Sequence, residues 1–83
     1  MPFVYLLKSQ LFAKTYVGST FDLENRLREH NLGKSTFTSR YKPWTIVYSE
    51  KFDTIGEARK REKYLKSCAG RKFLKKLINK IPR

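Results

Sequence analysis

The sequence predicts an α+β fold: a small three-stranded antiparallel sheet flanked by about three helices, in the order β-β-α-β-α-α. Three observations lead there. Residues 3–8, 14–18 and 44–52 are short runs rich in Val, Leu and aromatic residues, as strands are. The segments from Thr20 to Gly33, from Thr54 to about Cys68 and from Phe73 to Ile81 repeat apolar positions at spacings of three and four, as helices do. The chain has 83 residues and shows no repeat, linker or low-complexity tract, which bounds it to one domain, 1–83, with a small core. A single layer of helices on the sheet is about all such a core covers.

The first two strands hold Tyr5 and Tyr16. Their connection, Ser9 to Ala13, lacks the Asn-Gly signature of a tight turn. If it is centred between Gln10 and Leu11, Tyr5 lies opposite Tyr16 with both rings on one face; a one-residue slip sends them to opposite faces. Thr20 or Asp22 caps the first helix, Leu23 and Leu27 are its apolar positions, and Gly33 ends it. Residues 33–43 form a polar, basic loop with aromatics in it. The third strand opens on Trp44, which belongs to the core. Thr54, followed three residues later by Glu57, makes a capping box for the second helix. Gly70 breaks that helix, and Phe73, Leu74, Leu77, Ile78 and Ile81 mark an amphipathic last one.

Charge narrows the partner. The formal net charge is +12, and it is uneven: residues 1–50 carry seven Lys/Arg against four acids, residues 51–83 twelve against three. An excess of this size points to a polyanion, nucleic acid first and an anionic membrane surface second. No apolar run approaches the roughly 20 residues that cross a membrane, and no charged-then-apolar signal segment opens the chain. The single cysteine, Cys68, rules out an internal disulfide and fits a reducing cytoplasm. One Cys and one His do not make a four-ligand structural zinc site. Nor does any motif make Cys68 a nucleophile.

The helical stripes hold polar residues where packing alone calls for apolar ones. The stripe through Leu23 and Leu27 passes through Arg26 and His30, and the stripe of Ile55, Ala58 and Leu65 passes through Glu62. An inward carboxylate needs a partner or a cation. One reading is a partly buried Glu62–Arg26 ion pair that holds the helices in register. The other is a site: a glutamate for one hydrated Mg²⁺, an arginine for a phosphate, and a phenol to take a proton from water. A phenol pKa of about 10 must then fall by roughly 3 units to match pH 7, which takes several charges acting together.

In "VY" at 4–5, "YVG" at 16–18 and "RLREHN" at 26–31, the sequence resembles the GIY-YIG nuclease superfamily, especially its small single-domain members. The likeness continues through "GKSTFTSRYKPWTIVY", "EARKREKYLKS" and "GRKFLKKL" and covers nearly the whole chain. It implies a metal-dependent endonuclease that hydrolyses DNA phosphodiesters, with repair or recombination as its setting. Tyr5 matches the first motif's tyrosine and is the chosen general base; Tyr16 matches the second and assists. Which of the two takes the proton stays open. Arg26 neutralises the phosphate, His30 supports the base or the water, and Glu62 is the single protein ligand to Mg²⁺ or Mn²⁺. The expected partner is DNA, structured or single-stranded, with no membrane and no small-molecule cofactor.

The motifs depart from the family at Phe3, which stands where the first glycine would be, and at Val4 and Val17, which replace isoleucines. Ser19 and Thr20 follow the second motif where some members carry a lysine, and Asn79 falls too late for the asparagine that others place in the last helix. Lys34, Arg40, Lys42 and Lys66 are the candidate nucleic-acid contacts, with Phe37, Tyr41 and Trp44 available to stack on bases. Two other classes compete: a binding module without useful turnover, and a membrane-surface protein docking through its basic last helix.

Overall fold

The alternation of side chains along one strand divides this molecule in two. In the computed structural model, which describes residues 1–80, β1 (Phe3–Ser9) is the centre of an antiparallel sheet of order β2-β1-β3. Its edges are β2 (Thr15–Thr20) and β3 (Trp44–Lys51). Val4 and Leu6 cluster with Val17 on one face, and Tyr5 and Leu7 cluster with Trp44 on the other.

The hairpin register differs from the expected one. Tyr5 pairs with Gly18 and Leu7 with Tyr16, so the turn is centred between Leu11 and Phe12. The buried Ser9 hydroxyl accepts hydrogen bonds from the amides of Leu11 (3.3 Å) and Phe12 (3.1 Å), and the Ser9 amide donates to the Lys14 carbonyl (3.0 Å). These bonds hold the turn later than its composition suggests. Because the pairing moves by two residues, parity survives and both tyrosines still share one face. Between β1 and β3 the register shifts after Leu6, where Tyr48 is its partner and Ile46 is the partner of Leu7. Val47 is the extra residue, and it packs on the same face as Tyr48.

Helices cover both faces, where a single layer was expected; three strands are narrow enough for four short helices to do so. On the Tyr5 face lie α1 (Leu23–Asn31), whose Leu23 and Leu27 pack on Tyr5, Leu7 and Trp44, and the short α2 (Thr36–Ser39). Helix α2 occupies the segment expected to be a loop and buries Thr38 completely. On the other face, α3 (Ile55–Leu65) and α4 (Cys68–Asn79) contribute Ala58, Leu65 and Leu74 to the second core.

Local chemistry sets the helix ends. Asp22, not Thr20, caps α1 by accepting from the Asn25 amide (3.1 Å), while the Thr20 hydroxyl accepts from the Asp22 amide (3.1 Å). Thr54 accepts from the Glu57 amide (3.2 Å), as the Thr-x-x-Glu pattern implies, and the Glu57 carboxylate reaches back to the Thr54 hydroxyl (3.1 Å) in place of its amide. Helix α3 stops at Leu65, and Ser67 caps α4 at the Gly70 amide (3.3 Å), so the last helix begins at Cys68 and not near Phe73. Gly70 is therefore no breaker. A Cβ there would lie 2.1 Å from the Tyr64 carbonyl oxygen and 2.4 Å from the Leu65 Cα, so the glycine lets α4 start directly against the end of α3. Ile81, the expected last member of the α4 stripe, lies outside the described residues. Among the described residues no helix is long and apolar enough to cross a membrane.

Two consecutive residues fasten α3 to both edges of the sheet. Arg61 makes a two-point bond to Glu50 of β3, Nε to Oε1 at 2.8 Å and Nη2 to Oε2 at 3.1 Å, and Tyr48 donates to the same carboxylate. These bonds, from Arg61 first, hold the Glu50 carboxyl below its usual range despite partial burial. Glu62 reaches the other way, where its Oε1 accepts from the Ser19 hydroxyl of β2 at 2.7 Å. The geometry at Gly70 gives a direct test. Gly70→Ala is expected to lower stability by about 1–3 kcal/mol in chemical denaturation, because neighbouring backbone has to move. Gly56→Ala, whose nearest neighbour is the Thr54 hydroxyl at 3.9 Å, is expected to raise it by up to about 1 kcal/mol. Equal stabilities would contradict the close approach.

Candidate active site

Tyr5 sits mid-strand in the central strand, 1% exposed, with its ring lying over Gly18 of β2. A Cβ at Gly18 would come within 2.4 Å of the Tyr5 hydroxyl oxygen, so the second motif's glycine is the floor on which the first motif's tyrosine lies. The Tyr5 hydroxyl is 3.0 Å from His30 Nε2, and His30 Nδ1 is 2.8 Å from the Thr38 hydroxyl. The Thr38 carbonyl in turn accepts from the Trp44 indole N–H at 2.8 Å. Asn31, next to His30, clasps the Trp44 backbone by accepting from its amide (2.6 Å) and donating to its carbonyl (3.2 Å). A continuous polar chain thus ties β1, α1, α2 and the start of β3 together inside the Tyr5 face.

The protonation states follow from this burial. Desolvation pushes the His30 pKa below its usual 6.5, and the nearby Arg26 charge lowers it further, so the imidazole is neutral at pH 7. Burial, reinforced by Tyr16, pushes the Tyr5 pKa up to about 12, against the opposing pull of Arg26. This reverses the sequence expectation that surrounding charge lowers it. A protonated Tyr5 can donate to His30 Nε2, an arrangement that puts the imidazole proton on Nδ1, facing the Thr38 hydroxyl. Among the described residues, no buried side-chain nitrogen or oxygen is left without a partner.

Tyr16 completes an aromatic cluster from the edge strand. Its ring centroid lies 6.4 Å from that of Tyr5 and 5.1 Å from that of His30. It is half-buried, and the Lys66 ammonium lies 5.8 Å from its centroid. Arg26 stands at the rim with its side chain 44% exposed, bonded to Glu29 of its own helix at 3.2 Å. The sequence stripe places it inward, but its position at the stripe's edge leaves the guanidinium in solvent beside Tyr5.

Glu62 approaches around the edge of β2 from the opposite face. Its partners are Ser19 and Lys66, whose Nζ lies 2.7 Å from Oε2. The Glu62–Arg26 ion pair considered from the sequence does not form; each residue has a nearer partner of its own. Partial burial raises the Glu62 pKa, but the bonds from Lys66 and Ser19 outweigh it and hold the carboxyl below its usual range. Its charge is close enough to disfavour a Tyr5 phenolate. Among the described residues no group of three or more His, Cys, Asp or Glu gathers into a metal cage. A lone ionised carboxylate at a wet rim does fit a hard, largely hydrated cation, since Mg²⁺ commonly takes one or two carboxylates and keeps several waters.

The structure therefore brings Tyr5, Tyr16 and His30 into contact, with Arg26 and Glu62 at the rim on either side. Lys66 joins them directly. Lys34, Arg40 and Lys42 are exposed along the segment that carries α2. Residues that the sequence reading passed over include Thr38, Ser19, Asn31 and Gly18 as the floor beneath Tyr5. Only Gly18 carried a signal, as an isolated glycine within a strand pattern. An open groove of about 590 Å³ borders the site, between Tyr16 and Phe37 on one side and Leu65, Lys66, Arg71 and Lys75 on the other.

Comparison with known proteins identifies the family. The GIY-YIG catalytic domain matches residues 1–76. A UPF0213 protein of Staphylococcus saprophyticus is 36% identical over 74 residues, covering 88% of this chain and 89% of the relative. One of Clostridium perfringens is 35% identical over 81 residues, covering 96% and 86%. One of Haloquadratum walsbyi is 43% identical over 53 residues, covering 63% and 60%. No solved structure matches the chain significantly. With paired motif tyrosines on one face and a match across almost its whole length, the chain belongs to the GIY-YIG catalytic domain family, a membership that implies nuclease chemistry on a nucleic acid.

Proposed function

We propose that this chain is a single-domain, metal-dependent endonuclease that hydrolyses DNA phosphodiester bonds. The observation that carries the reading is the hydrogen-bond chain from Tyr5 through His30 to Thr38, opening at the β2 edge beside Arg26, Tyr16 and Glu62. Phosphodiester hydrolysis needs a water that loses a proton, a charge clamp on the phosphate and help for the departing oxygen.

The Tyr5–His30 bond supplies the first need without a free phenolate. As the water oxygen bonds to phosphorus, its proton passes to the Tyr5 oxygen and the phenol's own proton passes to His30 Nε2. The His30 Nδ1–H stays on Thr38, which holds the ring in place. The bond from phosphorus to the leaving oxygen breaks, that oxygen takes a proton from solvent, and His30 returns its extra proton to solvent. A tyrosine with a pKa of about 12 can work this way because it is never required to ionise at rest.

Arg26 is suited to the clamp. Its bond to Glu29 is exposed and weak, so a phosphate can replace it through two parallel hydrogen bonds. Since the guanidinium lies beside Tyr5, engaging a phosphate brings the reacting group to the phenol. Tyr16 steadies the phosphate or the water, and Lys66 places a cation beside it, where other family members use a lysine after the second motif. Glu62 is the residue that would hold Mg²⁺ or Mn²⁺, whose charge would favour departure of the leaving oxygen. A second reading, a DNA-binding module without turnover, draws on the raised Tyr5 pKa and the Lys66 ammonium already seated on Glu62. Salt-sensitive binding without cleavage under any divalent metal would favour it.

Three outcomes test the nuclease reading. Tyr5→Phe and Glu62→Gln are each expected to lower nicking of a labelled DNA about 100-fold or more, and Glu62→Gln also to weaken Mn²⁺ binding followed by water proton relaxation. Unchanged nicking in Glu62→Gln would remove that residue from the mechanism. Gly18→Ala is expected to lower kcat by displacing the Tyr5 ring, and to cost nothing further in a Tyr5→Phe background, because the two act through one group. Additive losses would separate them. The pH–rate profile is expected to be flat above about 6.5 and to fall at lower pH, where His30 gains a proton; its depressed pKa puts that acid limb below 6.5. A rate climbing tenfold per pH unit towards 12 would instead mean a free phenolate and contradict the relay.

A further inference from the structure

Beyond the reacting centre, aromatic side chains continue across the surface in an order that a single strand can follow. Tyr16 meets Phe37 at 6.2 Å between centroids, Phe37 meets Tyr41 at 5.3 Å, and Tyr41 meets Phe12 at 5.4 Å. The two phenylalanines are the open ones, with Phe37 46% and Phe12 47% exposed, while Tyr41 is half-buried between them. Two phenylalanines of this exposure resting on one tyrosine are more than scattered surface residues.

This surface is built from inside. The buried Ser9 hydroxyl donates to the Tyr41 carbonyl at 2.6 Å and accepts from the Phe12 amide at 3.1 Å. One hydroxyl therefore fixes both the turn that presents Phe12 and the backbone of the tyrosine behind it. The Phe12 ring meets Tyr41 edge-on, at 77°. Two cations border the row: Lys14 lies 5.4 Å from the Tyr41 centroid within it, and Lys66 lies 5.8 Å from the Tyr16 centroid at one end. Rings with a half-open face, interleaved with lysines, are what unpaired nucleobases and their phosphates require. A continuous duplex has its bases stacked on each other and offers no face to such rings.

We propose that Phe12 and Phe37, buttressed by Tyr41, form a stacking platform for unpaired bases next to the scissile phosphate, so that the substrate carries a single-stranded segment. The proposal rests on the reading of the site as one that engages DNA, and it names the form of DNA engaged. Its test uses the whole chain in EDTA, where cleavage does not intervene, with a single-stranded oligonucleotide carrying 2-aminopurine and a blunt duplex of the same sequence. Binding is expected to quench 2-aminopurine in the single strand. The Phe12→Ala/Phe37→Ala double variant, checked for folding by circular dichroism, is expected to lose about tenfold or more in single-strand affinity and nearly all of the quenching, while duplex affinity changes less than about twofold. A Phe12→Leu/Phe37→Leu variant is expected to behave like the alanine one, because an apolar group without a ring cannot stack. Unchanged single-strand affinity in the double variant, or an equal loss of duplex affinity, would overturn the platform. Cleavage with Mg²⁺ or Mn²⁺ is scored separately: quenching without cleavage would uphold the platform and overturn hydrolysis.

Discussion

One buried hydrogen bond, from the Tyr5 hydroxyl to His30 Nε2, constrains much of the rest of this structure. Both groups lie almost wholly out of water, so each must find a partner or cost about 1–3 kcal/mol. Tyr5 can reach His30 only with its ring flat over β2, which requires glycine at position 18. His30 can accept from Tyr5 only if its other nitrogen is satisfied, which requires Thr38. Thr38 comes into place because α2 folds in the segment before β3 and the Trp44 indole grips its carbonyl. A phenol, a glycine, an imidazole and a hydroxyl from four separate elements therefore depend on each other's positions.

The second constraint is the narrowness of the sheet. With only three strands and β1 covered on both sides, the sole place where groups from both faces can meet is an edge. The β2 edge serves that purpose: Tyr16 arrives from the α1 side, and Glu62 arrives from the α3 side through Ser19. Glu62 is steady there because its neighbour Arg61 pins the same helix to β3 through Glu50. The basic surface then surrounds an edge that is already polar, and the exposed aromatics run outward from it along α2 and the hairpin turn.

Much of this architecture was legible in the residues. The three strands and the order of elements along the chain, the Thr54–Glu57 cap and the inward turn of His30 all follow from period and local chemistry. Tyr5 and Tyr16 share a face as parity requires, but their exact pairing depends on the Ser9 hydroxyl, a contact that turn composition does not reveal. Gly70 reads as a helix breaker in the sequence, whereas its contact with the end of α3 makes it a point of close approach inside α4. Thr38 was hidden because a four-residue helix is too short to show a period. Arg61 was hidden among cations that look like a solvated face, although it holds the most extensive ion-pair network of the described residues. Arg26 lies on the predicted stripe yet faces solvent, since a long side chain at the stripe's edge can carry its charge outward.

His30 is the only histidine in the chain, so its imidazole nitrogens can be observed without assignment ambiguity. The most direct test of the organising bond is therefore a long-range ¹H–¹⁵N correlation spectrum of the ring, recorded as a function of pH and repeated on Tyr5→Phe. The expected result is a neutral ring at pH 7 with its proton on Nδ1, a pKa below 6.5, and a change in the Nε2 shift when the Tyr5 hydroxyl is removed. A ring protonated on Nε2, or charged at pH 7, or indifferent to the Tyr5 hydroxyl, would contradict it.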